Sequence, residues 1–171
     1  MASRNESEAD CAYVVGDDGL SRWSDTHRDA WIGLLETHKR LTRALDAELE
    51  AAYGLSLSAL ELLGRLAAAD DRTLRLTQLA EETGLSLSRV SRIVDALEER
   101  KLVERRRCEE DARARNAWLT KGGLELLREA QAKHFEGVQE RFFDQLEPGQ
   151  VRALAAVFAR FAPDAAEACA D

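Results

Sequence analysis

This sequence predicts a mainly α-helical chain with a small β component (α+β), on three observations. Long amphipathic patterns occupy both ends, two short helical patterns meet at a glycine in the middle, and two short strand-like runs follow them. Only two prolines interrupt 171 residues, and 45% hydrophobic with 33% charged residues is enough apolar material for a core, which argues against disorder. The length suits one domain of ordinary size or two small ones and is too short for a large barrel enzyme.

Residues 1–22 are polar, with Tyr13-Val14-Val15 the one apolar run, and read as a mobile tail. From Ser24, Trp31, Leu34, Leu35, His38, Leu41, Leu45, Leu49 and Tyr53 recur at three-four spacing until Gly54, the pattern of a long helix. Ser58 with Glu61 three residues on has the spacing of a capping box, which opens a second helix through Leu60, Leu62, Leu63 and Leu66. Leu74-Arg75-Leu76 is extended, and Thr77 then caps a two-turn helix that Gly84 ends in the left-handed conformation. Ser86 caps the next helix, from Leu87 to about Arg100, with Leu87, Val90, Ile93, Val94 and Leu97 on its inner side. Two helices joined by a three-residue turn have the spacing of a helix-turn-helix. Residues 102–108 and 115–119 can pair as strands around the polar loop 109–114, which is long for a tight turn and suits a projecting wing. Thr120 caps a long helix through Leu124, Leu127, Phe135, Val138 and Phe142, Pro148-Gly149 interrupts it, and a last helix carries Val151, Leu154, Val157, Phe158 and Phe161. Residues 163–171 read as a frayed end.

A formal charge of -8, taken alone, speaks against a nucleic-acid binder, because phosphate contacts need a basic surface. The distribution reverses this. Residues 72–121 hold 12 basic and 9 acidic side chains, a net of +3, against -11 for the remainder. Arg89 and Arg92 fall in the first half of the helix after Gly84, and Arg105, Arg106, Arg107, Arg113 and Arg115 lie on or around the strand pair. A helix presenting Ser and Arg from its first turns, at its positive end, can enter a major groove; the competing reading is an ordinary solvated helix face.

Other chemistries find little support. Cys11, Cys108 and Cys169 are odd in number and scattered, so neither a disulfide framework nor a zinc site is expected, and no cofactor or metal is called for. His27, His38 and His134 are remote from one another, and no Gly-rich phosphate loop or nucleophile-base pair marks an enzyme. No apolar leader segment and no stretch of about 20 apolar residues is present, so the expected location is cytoplasmic, with no membrane partner.

Gly84-Leu85-Ser86-Leu87-Ser88-Arg89-Val90-Ser91-Arg92 leading to Leu102-Val103, then Asp111-Ala112-Arg113 and Leu119-Thr120-Lys121-Gly122-Gly123, resembles the winged helix-turn-helix of MarR-type transcriptional regulators. The resemblance spans nearly all of residues 30–161. It implies a homodimeric DNA-binding regulator, a repressor in the simplest reading, on a pseudopalindromic double-stranded operator. Residues 58–119 would form the DNA-binding domain, and residues 23–57 and 120–162 a dimerisation region whose apolar stripes a monomer would leave in water. Ser86, Ser88, Arg89, Ser91 and Arg92 would face DNA. Arg113 would be the wing-tip arginine of the minor groove, with Asp111 and Arg115 supporting the wing. Arg105, Arg106 and Arg107 are weaker candidates, since strand alternation sends neighbours to opposite faces. Lys101 stands where such proteins usually have a positive-φ Gly, at a cost of about 1 kcal/mol. The resemblance also implies a small anionic or phenolic effector, with Trp31, His38 and Arg65 as candidates; packing roles compete for Trp31 and His38. Two alternatives stay open: a winged-helix module that binds protein, and a thiol-based redox sensor using Cys108, whose arginine neighbours and acidic Glu109 and Glu110 act on the thiol in opposite directions.

Overall fold

The computed structural model describes residues 13–107 and 115–161. The chain divides into two compact units, one up to Arg43 and one from Ala44 onward. In the first, β1 (Tyr13–Val15) and β2 (Ser21–Trp23) form an antiparallel hairpin where the sequence reading placed only a tail. Its turn closes through Gly16 N–H to the Leu20 carbonyl at 2.9 Å and through Gly19 at φ +76°. Tyr13 and Trp23 pair edge to face across the strands. Asp18 accepts from the Leu20 N–H and pairs with Arg22, whose guanidinium holds the carboxyl below its usual range. Helix α1 (Asp25–Tyr53) follows, and the side chains Trp31, Ile32, Leu34 and Leu35 of its first half stand about half exposed.

The second unit is built around α2 (Leu57–Ala68), whose Ala59, Leu60, Leu62, Leu63 and Leu66 are all buried. Fully burying such a leucine is worth about 1.5–3 kcal/mol, so this short helix anchors the core. Leu49 of α1 and Leu55 of the turn after it pack there, with Leu79 from α3 (Leu76–Thr83) and Val90, Val94 and Leu97 from α4 (Leu87–Glu99). Strands β3 (Thr73–Arg75), β4 (Val103–Arg107) and β5 (Arg115–Leu119) make an antiparallel sheet of order β3-β5-β4, and Val103, Ala117 and Leu119 close the core. Helix α5 (Lys121–Arg141) packs on α2, a 3-10 turn spans Phe143–Gln145, and α6 (Pro148–Phe158) follows.

Three helix boundaries differ from expectation. The cap of α2 is Ser56, whose Oγ accepts the Ala59 N–H at 3.1 Å, not Ser58; the Leu57 N–H is taken by Asp46 Oδ1 of α1 at 2.8 Å. Helix α3 begins at Leu76, ahead of Thr77, because Gln78 Oε1 reaches back to the Arg75 N–H at 3.0 Å. The last long helix stops at Arg141, before Pro148, and the proline instead occupies the first turn of α6, where its missing N–H costs nothing.

Elsewhere the local signals hold. Gly84 sits at φ +66° between α3 and α4, Ser86 caps α4 through the Arg89 N–H, and Thr120 caps α5 through the Gly123 N–H at 2.9 Å. Lys101 adopts φ +60°. Its N–H bonds to the Glu98 carbonyl and that of Leu102 to the Leu97 carbonyl, so α4 ends in a Schellman turn with lysine in the glycine position. Immediately beyond, the Leu102 carbonyl accepts both the Thr120 N–H and the Thr120 hydroxyl, each at 3.1 Å. Gly123 lies so close that an added Cβ would sit 2.1 Å from that carbonyl oxygen and 2.7 Å from Leu119 Cδ1. Farther along α5, Gly137 admits the Leu45 side chain, and Arg141 pairs with Glu48.

Gly123, Gly122 and Lys101 each carry a stability prediction. In urea unfolding, Gly123→Ala should lower stability by about 2–3 kcal/mol, because backbone cannot retreat from the added methyl. Gly122→Ala, whose Cβ would meet only Thr120 Oγ1 at 3.8 Å, should be neutral or stabilising by up to about 1 kcal/mol. Lys101→Gly should raise stability by roughly 1 kcal/mol, and an unchanged or lowered midpoint would show that the turn carries no strain.

Candidate nucleic-acid interface

The arginines of the basic middle segment separate by what holds them. On α4, Val90, Val94 and Leu97 turn inward, which leaves Ser88, Arg89 and Arg92 exposed on the outer side, with Ser86 at the cap. Ser86 and Ser88 hydroxyls lie 3.2 Å apart, and Arg89 Nη2 makes one long contact, 3.4 Å, to Ser58 Oγ of α2. Arg92 has no ion pair or hydrogen-bond partner among the described residues. The N–H groups of the first turn of α4 add partial positive charge to this face.

Arg100, Arg105 and Arg106, by contrast, are engaged. Arg100, just past α4, donates to the Gly54 and Tyr53 carbonyls at 2.6 and 2.7 Å and so caps the C-terminal end of α1. Arg106 lies over the Trp118 ring, 3.7 Å from its centroid, with Glu104 Oε2 at 3.4 Å. Arg105 donates from Nη2 to the Ser91 carbonyl and hydroxyl, both at 3.0 Å, and to Asp95 Oδ1. Ser91 is accordingly half-buried, and its hydroxyl is already partnered. Arg115 is exposed at the start of β5 and lines a cleft of about 260 Å³ with Arg75, Thr77, Leu87, Ser91 and Arg105. A second groove, about 500 Å³, runs between the start of α2 and α4 and has Ser56, Arg89, Arg92 and Arg100 on its walls.

Asp111 and Arg113 of the expected wing tip, and Cys108, lie outside the described residues. Trp31 and His38 are exposed on α1 in the first unit; Arg65, on α2 in the second, is exposed with Glu61 at 3.9 Å. Sequence reasoning missed the capping role of Arg100 and the grip of Arg105. The second was signalled: Ser91, Asp95 and Glu98 form a polar stripe at helical spacing just ahead of an arginine-rich strand. Among the described residues there is no group of three or more potential metal ligands, and no helix is long and apolar enough to cross a membrane.

Helices α3 and α4 about a left-handed glycine, flanked by a three-stranded sheet and an open Ser/Arg helix face, define a winged helix-turn-helix protein of the kind that reads duplex DNA. The comparisons narrow this. Residues 53–114 match the model described as MarR family. Sco3205, a MarR family transcriptional regulator of Streptomyces coelicolor solved in complex with DNA, is 32% identical, with 82% of this chain and 89% of that one covered at a TM-score of 0.76. AbsC, a MarR family transcriptional regulator of the same organism, is also 32% identical, with 85% and 99% covered at 0.75. The Escherichia coli MarR mutant bound to operator DNA shares the fold at 19% identity, covering 75% of this chain and 89% of that one at 0.66. A search of curated proteins finds no match. The chain belongs to the MarR family of transcriptional regulators, which are not enzymes.

Because Arg100 and Arg92 differ in their partners, their alanine variants should differ in stability. Arg100→Ala should cost about 1 kcal/mol or more in urea unfolding, since two carbonyls lose a charged donor. Arg92→Ala should stay within about 0.5 kcal/mol of the parent.

Proposed function

We propose that this regulator binds double-stranded DNA as a homodimer and represses transcription by occupying a pseudopalindromic operator. The observation that carries the reading is the open Ser86, Ser88, Arg89 and Arg92 face at the positive end of α4, the part of the basic segment least engaged in holding the fold. An arginine there suits guanine O6 and N7, and the serine hydroxyls suit phosphate oxygens. Ser91, half-buried with its carbonyl and hydroxyl held by Arg105, takes a supporting place beside this face. Arg113, supported by Asp111 and Arg115, takes the minor groove. The DNA complex of Sco3205, a relative at 32% identity, supports the assignment by likeness.

Homodimerisation is supported by apolar side chains exposed within each unit: Trp31, Ile32, Leu34 and Leu35 on α1, and Phe135, Val157, Phe158 and Phe161 toward the C-terminal end. Two α4 helices about 34 Å apart would read half-sites about 10 bp apart. A small anionic or phenolic effector would release the operator, with Trp31 and His38 of the first unit, or separately Arg65 of the second, as candidate contacts. The cytoplasm is the compartment in which such a repressor meets its DNA.

The test is binding of the purified protein to duplexes it selects from a random library, titrated with salt. Affinity should fall steeply with salt, selected sites should show two-fold symmetry, and sedimentation should give a dimer. Arg89→Ala or Arg92→Ala should each cost about 1–3 kcal/mol of binding. Salt-insensitive binding, or unchanged affinity in both variants, would favour the protein-binding alternative and sink the groove model.

A further inference from the structure

We infer that Arg105 is a positioning residue for DNA recognition: it locks the roll and tilt of α4 against β4 and sets sequence specificity without touching DNA. The inference rests on the DNA-binding reading above. Arg105 lies on β4 opposite Ala117, and its side chain is 23% exposed. One nitrogen, Nη2, reaches the Ser91 carbonyl and hydroxyl at 3.0 Å and Asp95 Oδ1 at 2.5 Å. Its Nε lies 3.6 Å from Glu98 Oε2, and its backbone N–H donates to Glu98 Oε1 at 2.9 Å. Ser91, Asp95 and Glu98 follow one another at i, i+4 and i+7, so a single residue of the strand holds about two turns of one helix stripe.

Attachment along two turns does what a single contact cannot. With one hydrogen bond α4 could pivot; with bonds at successive turns, both its rotation about its axis and its angle to the strand are constrained. The consequence is large in scale. Side-chain tips lie about 6 Å from a helix axis, so a roll of about 15° displaces them by about 1.5 Å. Hydrogen-bond distances span only about 0.5 Å, so such a roll would take Arg89 and Arg92 out of base-reading geometry. Phosphate attraction, which depends on charge more than on angle, would survive it.

The charge balance supports a structural role over a phosphate contact. Asp95 and Glu98 face the guanidinium, which neutralises it where a phosphate ligand would need it free. Two carboxylates on a helix that faces DNA would otherwise repel the backbone. Their place on the Arg105 stripe accounts for their presence.

Arg105→Lys keeps the charge and the backbone N–H to Glu98 but loses the planar guanidinium that holds the Ser91 carbonyl, the Ser91 hydroxyl and Asp95, so it separates the two roles. Its affinity for a selected duplex and for a scrambled duplex should be measured against salt, with folding checked by urea unfolding. The expected result is roughly a tenfold loss on the selected duplex, with scrambled-duplex affinity and the slope of log affinity against log salt unchanged. Asp95→Ala combined with Glu98→Ala, which removes both acceptors, should lose the same preference without weakening scrambled-duplex binding, and this variant decides the matter should Arg105→Lys fail to fold. Equal losses on both duplexes would make Arg105 a direct contact to the DNA backbone and overturn the inference, as would full retention of preference in both variants. If the parent protein itself shows no salt-dependent preference for selected DNA, the DNA-binding reading has failed instead.

Discussion

The carbonyl of Leu102 is the point on which the DNA-binding lobe turns. It accepts two hydrogen bonds from Thr120, and Gly123 packs against it with no room for a side chain. Four pieces of chain meet there: the Schellman turn that ends α4, the start of β4, the end of β5 and the first turn of α5. Because β5 is the middle strand, fixing its end also fixes β3, and through β3 the entry to α3. The left-handed conformation forced on Lys101 belongs to the same junction, since Thr120 Oγ1 also donates to the Lys101 carbonyl at 2.9 Å. A backbone residue that prefers another conformation is held by its neighbours, which is how local strain persists in a stable fold.

The charge of the middle segment is best understood through its partners. A net of +3 over residues 72–121 first marks the segment as basic, yet the positive charges do not act alike. Arg100 closes the end of α1, Arg105 grips α4, and Arg106 covers an indole ring. Arg89 and Arg92 stay largely uncommitted, and they stand where the helix dipole adds to their field. Three arginines of the segment therefore hold the scaffold together, while Arg89, Arg92 and Arg115 stand exposed.

What could be read from residues alone follows the range of the forces involved. Gly84, Ser86 and Thr120 act on backbone within a few positions, so the turn and the starts of α4 and α5 were legible from spacing. Ser58 misled because the competition is long-range: Leu55 is pulled into the core and Asp46 of α1 takes the Leu57 N–H, which moves the cap to Ser56. The Tyr13–Trp23 hairpin escaped notice for a related reason, since its apolar run is three residues long and its partner strand is Ser-Arg-Trp. At the interface, residue type announced the open arginines of α4, but an arginine that reads DNA and one that braces a helix look alike in sequence. Only the stripe of Ser91, Asp95 and Glu98 distinguishes Arg105, and it means little until a strand lies beside it.

The stacked Arg106 and Trp118 pair gives the protein an optical property. Of the three tryptophans, Trp23 and Trp31 belong to the first unit, and Trp118 alone sits in the sheet next to α4. With Trp23 and Trp31 replaced by phenylalanine, emission would come from one indole whose face is covered by a cation on the wing strand. Any rearrangement of that strand would alter the indole's electrostatic surroundings and shift its colour, so the fold carries its own fluorophore at the base of the wing.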